Sequence, residues 1–205
     1  MNILDALRKM TRKFMHGVAV VLDKISGGRI SPNNITIVGL LAHLPIAYFI
    51  AVSNNLYAAG LLVVFGLFDT LDGELARLQK RASPSGMLLD ASTDRMKEVM
   101  LYTGVAYAIT LTDKPTMAVW AVIACGASLT VSYVKAKGET AIAKSQLTTT
   151  EINLLFADGL MRFEVRMGVL LIGLLSSQVV LAVVIIAIFS SITAVSRLIK
   201  ISQKI

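Results

Sequence analysis

Four aspartates set inside two apolar stretches constrain this chain more than any other feature. Asp69 and Asp72 stand near the end of LYAAGLLVVFGLFDTLDGELARL, and Asp90 and Asp94 near the start of GMLLDASTDRMKEVMLYTGVAYAITL. An unpaired carboxylate at membrane depth costs roughly 2.5–3.5 kcal/mol on insertion scales, so four cost on the order of 10 kcal/mol. A fold that keeps such a cluster must compensate it. Divalent cations are the expected compensation, and cations held in oxygen ligands commonly handle phosphate.

The membrane setting follows from composition. Hydrophobic residues fill 55% of the 205 positions and charged residues 16%. Mean hydropathy is +0.71, outside the range of a soluble domain. Stretches 34–53, 56–79, 86–111, 115–136, 157–176 and 178–198 are each long enough to cross a bilayer. The second carries its polar residues toward one end, where these can face a protein interior. The expected fold is all-α: a polytopic membrane protein with six transmembrane helices. Residues 1–23 predict an additional amphipathic helix. Leu4, Leu7, Met10, Met15 and Val18 approximate one face, and Arg8, Lys9, Arg12 and Lys13 cluster elsewhere. Such a helix lies at the membrane interface. It lacks the long apolar core of a cleavable signal peptide. With no repeat and no low-complexity tail, residues 1–205 read as one membrane domain: 1–30 the interfacial helix and its loop, 31–205 the bundle.

Charge gives the orientation. Arg8, Lys9, Arg12, Lys13, Lys24 and Arg29 precede the first span. Arg77, Lys80 and Arg81 join the second to the third. Lys135, Lys137, Lys144 and Arg162 join the fourth to the fifth, and Lys200 and Lys204 follow the sixth. The opposite loops hold only Lys114. The positive-inside rule places both termini, and the carboxylates near them in depth, on the cytoplasmic side of the cell membrane. The net charge of +7 is this bias, and no nucleic-acid partner is expected, because few aromatics interleave with the cations. Cys125 is the single cysteine, which excludes an intrachain disulfide. His16 and His43 have no second ligand at a metal spacing and read as satisfied or interfacial histidines.

Written out, the acidic string is Asp69-x2-Asp72-Gly73-x2-Ala76-Arg77-x8-Gly86-x3-Asp90-x3-Asp94. On helices each aspartate pair shares a face. A short basic turn makes the two helices antiparallel, so all four carboxylates can meet about 10 Å below the surface. Their oxygens suit two Mg²⁺ or Mn²⁺ ions. Gly73 and Ala76 remove bulk beside the acids, Gly86 allows close helix approach, and the fork of Arg77 suits phosphate oxygens.

This string resembles that of the CDP-alcohol phosphotransferase family at all eight defining positions. Pro32-Asn33-x-Ile35-Thr36 is similar to the segment that precedes the family's first span. The resemblance implies a divalent-metal-dependent phosphatidyltransferase of phospholipid biosynthesis. A CDP-linked lipid, CDP-diacylglycerol or CDP-archaeol, would pass its phosphatidyl or archaetidyl group to an alcohol hydroxyl and release CMP. It implies that Asp69, Asp72, Asp90 and Asp94 bind two divalent cations, Mg²⁺ or Mn²⁺, and that Asp94 is also the general base. Thr36, Gly73, Ala76, Arg77, Ser83 and Gly86 would accommodate the CDP-lipid. It also implies a homodimer among membrane lipids.

For the acceptor, Ser132-Tyr133-Val134-Lys135-Ala136-Lys137-Gly138-Glu139 and Asp94-Arg95 are similar to the phosphatidylinositol phosphate synthase and archaetidylinositol phosphate synthase branch. A phosphorylated small polar alcohol is implied, inositol 1-phosphate first, with Lys135, Arg162 and Arg166 as its phosphate ligands. Positive-inside topology alone also accounts for these cations. Glycerol 3-phosphate, as in a phosphatidylglycerophosphate synthase, is the alternative acceptor. In a different class, interior carboxylates also suit a divalent-cation transporter. The one-sided placement of the acids favours interfacial chemistry, since no matching polar series continues through spans four to six.

Overall fold

Apolar surroundings force helix, because a spanning segment must satisfy every backbone N–H and C=O within itself. The computed structural model describes residues 3–142 and 160–203, without the side chains of 3–8 and 142. The side chains of Leu4, Leu7 and Arg8, Lys144, the connection through Thr148, Thr149 and Thr150, the start of the expected fifth span at 157–159, and Lys204 lie outside the described residues. Among those described, every regular element is helical: α1 (Ile3–Ser26), α2 (Pro32–Ala51), α3 (Asn55–Gly66), α4 (Phe68–Leu78), α5 (Pro84–Thr110), a 3₁₀ turn (Pro115–Met117), α6 (Ala118–Ile142), α7 (Phe163–Leu175) and α8 (Val179–Ser202).

Among the described residues, four segments are long and apolar enough to cross a bilayer: Pro32–Ala51, Asn55–Leu78, Pro115–Ala141 and Val179–Ser202. That is fewer than the six expected. The 27-residue α5 has the length, but Asp90, Asp94, Arg95, Lys97 and Glu98 dilute its hydropathy. The 13 residues of α7 are too few to span by themselves. The expected second span is two helices, α3 and α4, separated at Leu67 directly after Gly66, a weak helix former.

The helices fall into two compact units. The first holds α1, most of α2, α3, α4 and α5 as far as Leu101. Its packing explains the placement of the acids. Leu71 and Leu75 of α4 bury against Met15 and Ala19 of α1 and Ile35 of α2, with Val18, Leu22, Phe68 and Leu78 around them. With its leucine face committed to α1, α4 presents Asp69, Asp72 and Ala76 on its other side.

Two helices of this unit begin with the same device. Ser31 Oγ accepts from Asn34 N–H at 3.3 Å at the start of α2, and Ser83 Oγ accepts from Gly86 N–H at 3.1 Å at the start of α5. Each is a serine N-cap followed by proline at the first helical position. α4 closes on Lys80, which sits at φ 55°. Arg81 N–H reaches Ala76 O at 2.9 Å and Lys80 N–H reaches Arg77 O at 3.2 Å, the two bonds of a Schellman end, made here without glycine.

The second unit holds α5 from Tyr102, then α6, α7 and α8, with Ile50–Leu56. α8 packs on α6 and α7. Ala121, Ala124, Ser128 and Val131 form the buried face of α6, and Ala182, Ala187, Ser190 and Ala194 belong to that of α8. Small residues of this kind let spanning helices approach closely.

Candidate active site

Asp69, Asp72 and Asp90 each offer a carboxylate oxygen, and these oxygens all lie within 4.8 Å of one another. Two come from the acid face of α4 and one from the second turn of α5. Asp72 is buried, and its Oδ2 accepts a 2.5 Å hydrogen bond from Thr36 Oγ1 on α2. The Oδ1 of Asp90 is buried with no hydrogen-bond partner. A buried carboxylate oxygen without a donor is costly, and a hard cation in an all-oxygen donor set is the group that would satisfy it. The residues present therefore fit a divalent metal.

Asp94 stands one turn beyond Asp90 and outside this group of three. Its oxygens face two cations of its own helix, Lys97 Nζ at 3.4 Å and Arg95 Nη2 at 3.7 Å. Lys97 also pairs with Asp69, and Arg95 with Glu98. Sequence reasoning passed over Lys97. Its signal was its position three residues after Asp94, on the same helix face.

A cavity of about 290 Å³ adjoins the carboxylates, lined by Thr36, Asp72, Gly73, Ala76, Arg77, Ser83, Gly86 and Asp90 among others. Every residue expected to accommodate the CDP-lipid is on its wall. Three helix ends build it: the first turns of α2 and α5 and the last turns of α4. N-terminal turns present N–H groups and the positive end of the helix dipole, which favour anions. Gly86 is small for a local reason, since a Cβ there would come 3.3 Å from Ser83 Oγ and 3.5 Å from Asn33 Oδ1. Ser83 has a structural duty as well, the cap of α5.

Arg77 is exposed, and its guanidinium lies over Gly73, where a Cβ would be 3.4 Å from Nη2. It donates to Glu74 Oε1 at 2.6 Å. Glu74, a second residue not anticipated, also accepts from Arg12 Nε at 3.2 Å and lies 3.3 Å from His16 Nδ1, both on α1. His16 is thus part of the polar cluster around Glu74. His43 is buried with Nδ1 2.7 Å from Gly39 O, a satisfied core histidine. Cys125 forms no disulfide.

The expected acceptor residues lie in the second unit. Arg162 is the residue before α7, and Arg166 follows one turn later. Arg166 is only 1% exposed, donates through Nη1 to Met161 O at 2.7 Å, and lies 6.0 Å from the centre of the Phe163 ring. Lys135 is exposed and 3.7 Å from Glu139.

The chain is similar to known proteins in sequence and in fold. The chain is 32% identical over 135 residues to a phosphatidylinositol phosphate synthase of Corynebacterium glutamicum, an alignment that takes in 64% of this chain but only 60% of that protein. It is 28% identical over 195 residues to an archaetidylinositol phosphate synthase of Pyrococcus horikoshii, covering 95% of this chain and 94% of that one. Its fold matches the crystal structure of Mycobacterium tuberculosis phosphatidylinositol phosphate synthase in complex with manganese and citrate. There the TM-score is 0.79 at 23% identity, over 92% of this chain and 89% of that one. The same enzyme with CDP-DAG bound gives a TM-score of 0.77 at 24% identity, over 92% of this chain and 94% of that one. Residues 29–195, which hold the whole acidic string, match the profile of one family, and the chain belongs to it: CDP-alcohol phosphatidyltransferase.

Proposed function

We propose that this protein transfers the phosphatidyl or archaetidyl group of a CDP-linked lipid to the hydroxyl of a small polar acceptor, releasing CMP. The observation that carries the reading is the convergence of Asp69, Asp72 and Asp90, with the orphaned Asp90 Oδ1, beside a cavity walled by helix N-termini and Arg77. Asp69, Asp72, Asp90 and Asp94 would hold two divalent cations, Mg²⁺ or Mn²⁺. Bound there, such ions supply charge neutralisation for the diphosphate and for the departing CMP. Thr36 orients Asp72. Gly73, Ala76 and Gly86 leave room for the nucleotide, and Arg77 and Ser83 contact it. Asp94 takes the acceptor's hydroxyl proton as its oxygen bonds to the lipid-side phosphorus. The bond from that phosphorus to the bridging oxygen breaks, and the electron pair leaves on CMP.

Inositol 1-phosphate is the proposed acceptor. The names of the corynebacterial and archaeal relatives support it, as do Lys135, Arg162 and Arg166 as candidate phosphate ligands. Residues 1–205 form one membrane domain of six spans. α5 is the third and the segment around α7 the fifth, with α1 at the interface and both termini and the site cytoplasmic. The functional unit is a homodimer.

The test is a panel assay of purified protein with one CDP-lipid and inositol 1-phosphate, glycerol 3-phosphate, serine or inositol as acceptor. Metal-dependent CMP release with inositol 1-phosphate preferred is the expected result. Preference for another alcohol overturns the acceptor only. No CMP release with any acceptor overturns the reaction class and returns the carboxylates to cation transport.

A further inference from the structure

We propose that Lys97 is a built-in competitor for the second metal position, so that the two divalent cations bind in sequence and not as equals. The inference rests on the reading above, that the four aspartates hold two such ions. Lys97 is 1% exposed, with its ammonium among the acids. It pairs with Asp69 and lies 3.4 Å from Asp94 Oδ1. A buried ammonium is tolerable only with carboxylate partners, and these two supply them.

The partners decide which position is affected. Asp69, Asp72 and Asp90 already bring three oxygens within 4.8 Å, enough for a first ion. A second ion must draw on Asp94, whose carboxylate completes the set, and on Asp69, which borders both positions. Those are the two carboxylates that Lys97 bridges. Its ammonium therefore stands in for a cation at that place. Arg95 Nη2, 3.7 Å from Asp94 Oδ2, adds positive charge on the same side. A divalent ion arriving there meets a resident charge of its own sign and must displace it. The unbranched four-carbon stem of lysine allows such a withdrawal. The first ion meets less opposition, because Lys97 pairs with only one of its three ligands, Asp69, and with neither Asp72 nor Asp90.

The experiment is a Mn²⁺ titration of metal-stripped protein in detergent, with free Mn²⁺ read by electron paramagnetic resonance and CMP release measured on the same preparation. Wild type should bind two ions with dissociation constants about tenfold or more apart, the scale of repulsion between a unit and a divalent charge a few ångströms apart. Lys97→Met should tighten the second ion more than the first and so narrow the gap. Lys97→Arg, which keeps the charge, should keep the gap. Two equal sites in wild type overturn the proposal, and that arm stands even where Lys97→Met fails to fold. Superimposable isotherms for wild type and Lys97→Met overturn it too, as does a single ion at saturation in both. If CMP release is robust in those cases, only the role of Lys97 falls. If neither Mn²⁺ binding nor CMP release is seen, the underlying metal-dependent reading falls with it.

Discussion

Thr36 and Asp72 are joined by a 2.5 Å hydrogen bond from hydroxyl to carboxylate that ties the first turns of α2 to the acid face of α4. Thr36→Val keeps the shape and removes the donor. Because Asp72 is 6% exposed, metal-stripped Thr36→Val should lose about 1–3 kcal/mol of stability. Thr36→Ser should lose little. Thermal unfolding in detergent checks this, and equal midpoints for wild type and Thr36→Val would refute it.

The carboxylates separate by role. Asp69→Ala and Asp90→Ala should abolish CMP release and weaken Mn²⁺ binding, because each removes oxygen ligands from a shared site. Asp94→Asn should abolish turnover while CDP-lipid binding stays measurable. EDTA should inactivate wild type and added Mg²⁺ or Mn²⁺ should restore it. Full activity in metal-free protein would end the metal reading, and near-normal turnover in Asp94→Asn would end the base assignment.

Glu74 should act through Arg77. It holds that guanidinium over Gly73 and is itself braced by Arg12 and His16. Glu74→Ala should raise the CDP-lipid KM by about tenfold, equivalent to about 1.4 kcal/mol of lost binding, with kcat little changed. A fall in kcat at constant KM would assign Glu74 a different part.

Ser83 can be dissected by charge. Ser83→Ala loses the cap of α5 and should cost about 1 kcal/mol. Ser83→Asp restores a capping oxygen but places a carboxylate on the cavity wall. It should be as stable as wild type yet bind CDP-lipid more weakly. Unchanged CDP-lipid kinetics in Ser83→Asp would leave Ser83 as a cap alone.

The three proposed acceptor cations should divide in two. Lys135→Ala and Arg162→Ala should raise the acceptor KM by about tenfold, one charge-assisted phosphate contact each, with CDP-lipid KM unchanged. Arg166→Ala should also lower thermal stability, since its buried guanidinium holds Met161 O at the start of α7. Acceptor kinetics untouched in all three would assign these residues to topology.

The spacing of Asp69, Asp72 and Asp90 was legible because helix periodicity fixes which side chains share a face. What escaped was interdigitation. Nothing in a linear pattern says that Lys97 will point among the acids, or that Glu74 will gather Arg77 with Arg12 and His16 from more than fifty residues away. Ser83 was read only as a nucleotide contact, although Ser-Pro before an apolar run is an N-cap signature that applies equally to Ser31. Lys80 carries no sign of a left-handed turn, because glycine is its usual mark and tertiary closure supplies the conformation here. Arg166 was read as a ligand of the acceptor's phosphate, with topology as the alternative, and its burial was not foreseen. It is held by Met161 O and lies by the Phe163 ring, a matter of packing that charge counting does not see.

The leucine face of α4 has a bearing on coordination chemistry. α4 is wedged: Leu71 and Leu75 seat against Met15 and Ala19 on one side while Asp69 and Asp72 project from the other. A helix with its side chains is about 10–12 Å across. Rolling it by about 20° therefore swings a carboxylate at its rim by about 2 Å. Ligand distances to an ion hold to about 0.2 Å, so the tolerance at the rim is roughly a tenth of that swing. A methylene added at Ala19, on the far side of α4 from every candidate ligand, is thus a change in ion geometry before it is a change in stability. The volume of Ala19 thus bears on the geometry of a candidate metal site that it never touches.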